Sequence, residues 1–195
     1  MMKPTLPLLL SALCLSACVS LGGGKPPKML LTLSASTGPV VGSTPNPAAP
    51  TLSVITPTAP KTLATNRLAV MTGSTTIAYL KDAQWVDEPA RLFSDVLAET
   101  IAARTGQVIV DRRQYALAPG MRLTGRLHQF GLDAEKDEVV IVYDATLFPG
   151  GGKPMAARRF EARLPVSSEK VPVVAHALNQ ASNRIANEVA DWISR

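Results

Sequence analysis

The residues able to do chemistry in this chain are two histidines, an acidic cluster, a glycine–lysine run and an Arg–Glu–Arg strand. His128 lies in a strand-like stretch and His176 in a helix-like one, and neither has a ligand-like neighbour in sequence. A lone histidine of this kind is more often structural than catalytic. The Asp133–Glu138 run has enough carboxylates for a hard cation. It lacks a glycine at the bend and the side-chain pattern of a calcium loop, so a solvated hairpin is the simpler reading. Gly150-Gly151-Gly152-Lys153 has the ingredients of a phosphate loop. Pro154 stands where Ser or Thr belongs, the glycine spacing is wrong and no helix follows, so it reads as a turn. Glu161 between Arg159 and Arg163 is explained by cross-strand charge pairing. No G-x-S-x-G, H-E-x-x-H or C-x-x-C occurs. No catalytic residue, metal site or cofactor is assigned, and the chain reads as a non-enzyme.

The remaining reactive group is the sulfur of Cys18. It closes a segment with the three parts of a secretory signal: a positive start (Met1, Met2, Lys3), an apolar run from Leu6 to Leu13, and small residues. The run is too short to cross a bilayer core of roughly 30 Å as a helix. Leu15-Ser16-Ala17-Cys18 resembles the bacterial lipobox, in which a diacylglyceryl group is joined to the cysteine sulfur and the chain is cut just before it. The competing reading is an ordinary secretory signal with an incidental cysteine. The position of the motif directly after the apolar run favours the lipobox. Two or more acyl chains hold a protein stably at a membrane, at about 0.8 kcal/mol per buried CH₂. Val19 in place of Asp after the cysteine favours the outer membrane by the rules known for such signals.

The expected organisation is therefore a signal peptide over residues 1–17, a lipidated tether over 18–28 and one domain over 29–195. Glycines 22–24 and prolines 26–27 mark the tether. Lys3 is the only charged residue of the signal, so the chain from Cys18 carries one unit less than the +5 of the whole. That mildly basic charge is not clustered and has no interleaved aromatics, which excludes a nucleic-acid-binding surface. It leaves a weak attraction to anionic headgroups open beside an ordinary solvated surface. Of the two cysteines, Cys14 is lost with the signal and Cys18 is acylated. The domain then has no disulfide and depends on its own core.

The core elements follow from periodicity. Met29–Leu33 is fit for a first strand, and the Pro-, Gly- and Ser-rich stretch 36–50 for a mobile loop. Thr51–Thr56, Arg67–Met71 and Thr75–Leu80 read as strands, the last two joined at Thr72-Gly73-Ser74. Asp87 is expected to cap a helix with Pro89 in its first turn and Gly106 at its end. Phe93, Val96, Leu97, Thr100 and Ile101 form its apolar stripe. Gln107–Val110 is a short strand. Met121–Leu132, Glu138–Phe148 and Met155–Leu164 alternate, and their short connections require an antiparallel meander. Phe160, Ala162 and Leu164 fall on the core face of the third. A closing helix from about Pro172 to Ile193 carries Val174, Leu178, Ala181, Ile185, Val189 and Trp192 on one stripe. Asn179, Asn183, Asn187 and Asp191 lie on another side. The fold class is α+β, a mostly antiparallel sheet with two helices packed on one face.

The order of these motifs is informative. After the lipobox come Arg67-Leu68-Ala69-Val70, Tyr79, and Trp85-Val86-Asp87-Glu88-Pro89 at a helix start. Leu127-His128-Gln129-Phe130, Arg158-Arg159-Phe160-Glu161-Ala162 and Val174-Ala175-His176-Ala177-Leu178-Asn179-Gln180-Ala181 follow. Together they resemble the ABC-type transport auxiliary lipoprotein family, the PqiC-like group associated with MCE-domain proteins. The resemblance runs from about Met29 to Trp192. It implies a non-enzymatic outer-membrane lipoprotein serving a lipid-transport system. The implied partners are a periplasm-spanning MCE-domain protein and its ABC transporter or permease, with homo-oligomerisation left open. A structural or assembly lipoprotein of another outer-membrane complex is the alternative.

Overall fold

The computed structural model describes residues 29–38, 50–110 and 120–195. The signal, Cys18, the tether and most of the 36–50 loop lie outside the described residues. Among the described residues seven strands and two helices follow in the order β1 (Thr51–Val54), β2 (Arg67–Met71), β3 (Ile77–Gln84), α1 (Pro89–Thr105), β4 (Val108–Ile109), β5 (Met121–Asp133), β6 (Glu138–Phe148), β7 (Ala156–Pro165) and α2 (Val171–Ile193).

The meander forms as its alternation and short loops require. β5 pairs antiparallel with β6 along its length, and β6 with β7. On its other edge β5 is shared. Its first residues pair with β1 and its last with β2, both parallel. β4 adds to β1 in parallel, and β3 to β2 as an antiparallel hairpin. The sheet is thus mixed, not mostly antiparallel. The reason is topological: between β1 or β2 and β5 the chain passes through α1, long enough for the crossover that parallel pairing needs. Gly131 makes the shared edge possible, because a Cβ there would lie 2.3 Å from the Ala69 carbonyl oxygen on β2.

Both helices cover one face. The inner residues of β6, Val139, Ile141, Tyr143 and Ala145, are buried beneath them. Phe93 of α1 stands edge-on to Tyr143, with ring centroids 5.2 Å apart. Trp85 and Phe130 extend that aromatic cluster, 5.8 Å apart. Every residue of the expected α1 stripe is buried, and so are Val174, Leu178, Ala181, Ile185 and Val189 of α2. Trp192 is half-buried at the margin and packs edge-on against Phe160 of β7 at 5.7 Å. Gly106 ends α1 in the left-handed conformation, φ 67°.

Two local expectations change. Asp87 does not cap α1 by side chain. The cap residue is Glu88, whose N–H donates to Asp87 Oδ1 at 2.7 Å, while Oδ2 pairs with Arg91 at 2.8 Å. Pro89 lacks an N–H and presets φ, so the first turn forms without a side-chain cap. Met29–Leu33 is not a full strand. It makes one parallel bridge, Leu31 to Trp85.

Candidate functional site

The sheet face opposite the helices has no element packed over it among the described residues. Its register brings charged side chains into rows. Arg126, Asp144 and Arg159 share one row across β5, β6 and β7. Arg159 grips Asp144 with two nitrogens, at 2.6 and 2.7 Å. His128 is the extra residue where the β5–β6 register shifts, and its Nε2 lies 2.7 Å from Asp144 Oδ2. Hydrogen bonding from Arg159, helped by His128, holds the Asp144 carboxyl down at about 2 against partial desolvation. Further along, Arg163 bridges Glu161 on its own strand and Glu138 on β6, the latter at 2.6 Å. These hydrogen bonds raise the Arg163 guanidinium above its ordinary range.

The expectation for Glu161 is thereby refined. The cross-strand pairs are Arg159–Asp144 and Arg163–Glu138, whereas Glu161 pairs along β7. Exposed pairs of this kind contribute little stability each. Their effect is to fix an array of directed donors and acceptors on this face. Val140 and Val142 lie buried between the rows. At one end of this face is a cleft of about 450 Å³, with Met71 and Ile77 beside Gln129, Asp133, Lys136 and Arg163.

The other residues singled out from sequence disperse. His176 is exposed on α2, away from His128. Gly150, Gly151 and Gly152 all have positive φ, and the Lys153 N–H closes on the Gly150 carbonyl at 3.2 Å, a turn. Asp133 pairs with Lys136 at 3.5 Å in the β5–β6 hairpin. Among the described residues no group of three or more His, Cys, Asp or Glu is placed to hold a metal ion. Burial pushes the Tyr143 phenol up, and its hydroxyl donates to the Thr124 carbonyl at 3.3 Å within the core. Among the described residues no helix is long and apolar enough to cross a membrane.

A second feature lies on α2. The asparagine stripe seen in the sequence holds the incoming chain. The Ser34 N–H donates to Asn179 Oδ1 at 2.8 Å, and the Ser36 N–H to Asn183 Oδ1 at 2.6 Å. Asn183 Nδ2 returns a bond to the Ser34 carbonyl at 2.8 Å. Two asparagines one turn apart thus act as a strand edge for residues 34–36. Lower on the stripe, Arg104 of α1 bonds Asn187 at 3.1 Å and pairs with Asp191. The sequence signal was the four-residue spacing; its partner, more than a hundred residues upstream, left no local trace.

The arrangement defines a class before it defines a family: an anchoring strap on one side, a bare polar sheet face on the other, and no catalytic cluster among the described residues. Residues 31–190 match the ABC-type transport auxiliary lipoprotein component. The chain belongs to that family. Among solved structures it is similar to protein XCC0632 from Xanthomonas campestris, of the family DUF330. The identity is 19%, the match covers 85% of this chain and 94% of that one, and the TM-score is 0.67. An uncharacterized protein matches at 18% identity, 74% and 92% coverage and TM-score 0.66. At these identities the likeness concerns the fold. Comparison with curated proteins gives no significant match.

Proposed function

We propose that this protein is a non-enzymatic accessory lipoprotein of an MCE/ABC-type lipid-transport system. Acylated Cys18 holds it to the periplasmic face of the outer membrane, and its role is to dock a periplasm-spanning MCE-domain partner. The carrying observation is the match to an auxiliary transport component over residues 31–190, beginning shortly after the Cys18 motif. The chain has no phosphate loop to power transport. A tether of ten extended residues reaches at most about 36 Å, so moving lipid between membranes requires a second protein that spans the gap. The bare sheet face, with Gln129, Arg126 and Glu161 exposed, offers the directed polar contacts for that partner.

The test is capture in intact cells. A photocrosslinking residue at Glu161 or Gln129 should trap an MCE-domain protein, and one at the exposed Arg184 of α2 should not. Repeated absence of an MCE-domain protein, with that partner shown to be expressed, would favour an assembly lipoprotein of another outer-membrane complex instead.

A further inference from the structure

Five large apolar side chains are exposed among the described residues: Met29, Leu30, Ile77, Val86 and Met155. Three of them, Met29, Leu30 and Val86, flank one bridge, Leu31 to Trp85. The Leu31 N–H donates to the Gln84 carbonyl at 2.7 Å, and the Val86 N–H to the Leu31 carbonyl at 2.8 Å. Leu31 and Trp85 turn into the core across this bridge. Alternation along extended chain sends Leu30 and Val86 to the opposite side, where they are 53% and 49% exposed. Met29 precedes them and is also exposed.

The position of this patch is informative. It lies where the chain from Cys18 enters the domain: Met29 is eleven residues after the cysteine and so within about 40 Å of it. It is also at the base of the β2–β3 hairpin, where the Trp85 N–H bonds the Asn66 carbonyl at 2.7 Å. The hairpin turn is at the other end, with Ile77 and the cleft beside it. β3 bulges around Asp82, φ 59°, so Ile77 to Gln84 matches only Met71 to Arg67 on β2, and Ile77 lies roughly 15–20 Å from Val86 along the hairpin. The strap bonds to Asn179 and Asn183 fix the chain on the domain just beyond the patch.

We propose that Met29, Leu30 and Val86 rest in the headgroup region of the bilayer that holds the Cys18 acyl chains. The domain then stands on the membrane with the β2–β3 turn and its cleft pointing away. This rests on the anchored reading of Cys18. Three side chains are too small a patch to bind a membrane alone. The acyl anchor makes the contact intramolecular, so a weak contact suffices to orient the domain. Of the neighbouring charges Asp87 is paired with Arg91 and Glu88 is exposed, while Lys25 and Lys28 precede the patch in sequence; neutral vesicles therefore test the apolar contact apart from charge attraction.

The test uses the acylated full chain in phosphatidylcholine–phosphatidylethanolamine vesicles. Because Cys18 is blocked by lipid, one new cysteine takes an environment-sensitive label. L30C and V86C report the patch, and I77C reports the far end; all three positions are exposed, so the core is undisturbed. Flotation with the vesicles reads the anchor. A nitroxide on the lipid headgroup reads depth. The expected result is flotation of all three, with quenching at positions 30 and 86 stronger than at 77 by roughly twofold or more. Flotation with equal quenching at 77 and 86, or with water-like emission at 86, overturns the orientation alone. Failure to float overturns the anchor and the orientation with it.

Discussion

Replacing Asn183 by Ala should free the strap without unfolding the domain. Asn183 is buried and makes three bonds: it accepts from the Ser36 N–H, donates to the Ser34 carbonyl, and donates to the Asn179 carbonyl of its own helix. The first two hold the strap. At a net 0.5–1.5 kcal/mol each, their loss costs about 1–3 kcal/mol locally. Leu31 and Leu33 remain buried, so the strap keeps its apolar hold at one end. The assay is residue-resolved amide exchange on the unacylated chain from Val19. A local cost of that size accelerates exchange of the Ser36 amide by roughly 5- to 150-fold. Amides of the buried β6 strand should keep their protection, because they open only with the whole domain. Unchanged exchange at Ser36 would refute the strap. Equal acceleration on β6 would show that Asn183 supports the global fold instead.

In contrast, Leu178→Ala removes a fully buried side chain from the helix–sheet core and should cost about 2–5 kcal/mol globally, read from urea unfolding. Gly131→Ala should destabilise by about 1–3 kcal/mol or more, since its Cβ meets the Ala69 backbone; loss of protection in β2 is the readout. The Asp144 carboxyl is held below its unfolded value, so its contribution is fully present above about 4 and lost as pH falls toward about 2. Carbon-detected titration of Asp144 should give a midpoint near about 2, and Arg159→Gln should raise it. Finally, Cys18→Ser should leave the chain uncut at the Ala17–Cys18 bond and out of the membrane-anchored fraction, read by cell fractionation and the mass of the N-terminus.

Local order was the legible part. The α1 stripe, the Gly106 cap, the β5–β6–β7 meander and the apolar face of α2 rest on periodicity and turn chemistry, which act between near neighbours. Phe160 and Ala162 sit on the core face as their alternation requires. What the sequence did not carry was partnership over distance. β1 and β2 alternate equally well beside a parallel or an antiparallel neighbour, so the mixed sheet was invisible until β5 was seen to share one edge between them. The Asp144–Arg159 pair brings together residues fifteen apart on two strands, and only the β6–β7 register decides it. Asp87 shows a different limit. Its type fits a cap, but Arg91 and the Glu88 N–H compete for the same carboxylate and take it.

The asparagine stripe alters how the last helix should be understood. One side of α2 is apolar and would make it a stability element alone. The other side spends three asparagine side chains on backbone and arginine partners outside the apolar contact. Asn183 is largely buried, and a buried amide is costly unless its bonds are made. Residues 34–36 supply two of its three bonds, and the Asn179 carbonyl the third. A flexible tether would leave a domain free to tumble at the membrane, whereas a strap fixed to α2 shortens the free chain and sets where it emerges. A protein whose described residues show no catalytic cluster can act by placing a surface at a defined distance and angle. On the proposed anchoring and docking, the strap, the patch at Val86 and the bare face carrying Asp144 and Arg159 would work together, the membrane setting the orientation and the sheet presenting the contact.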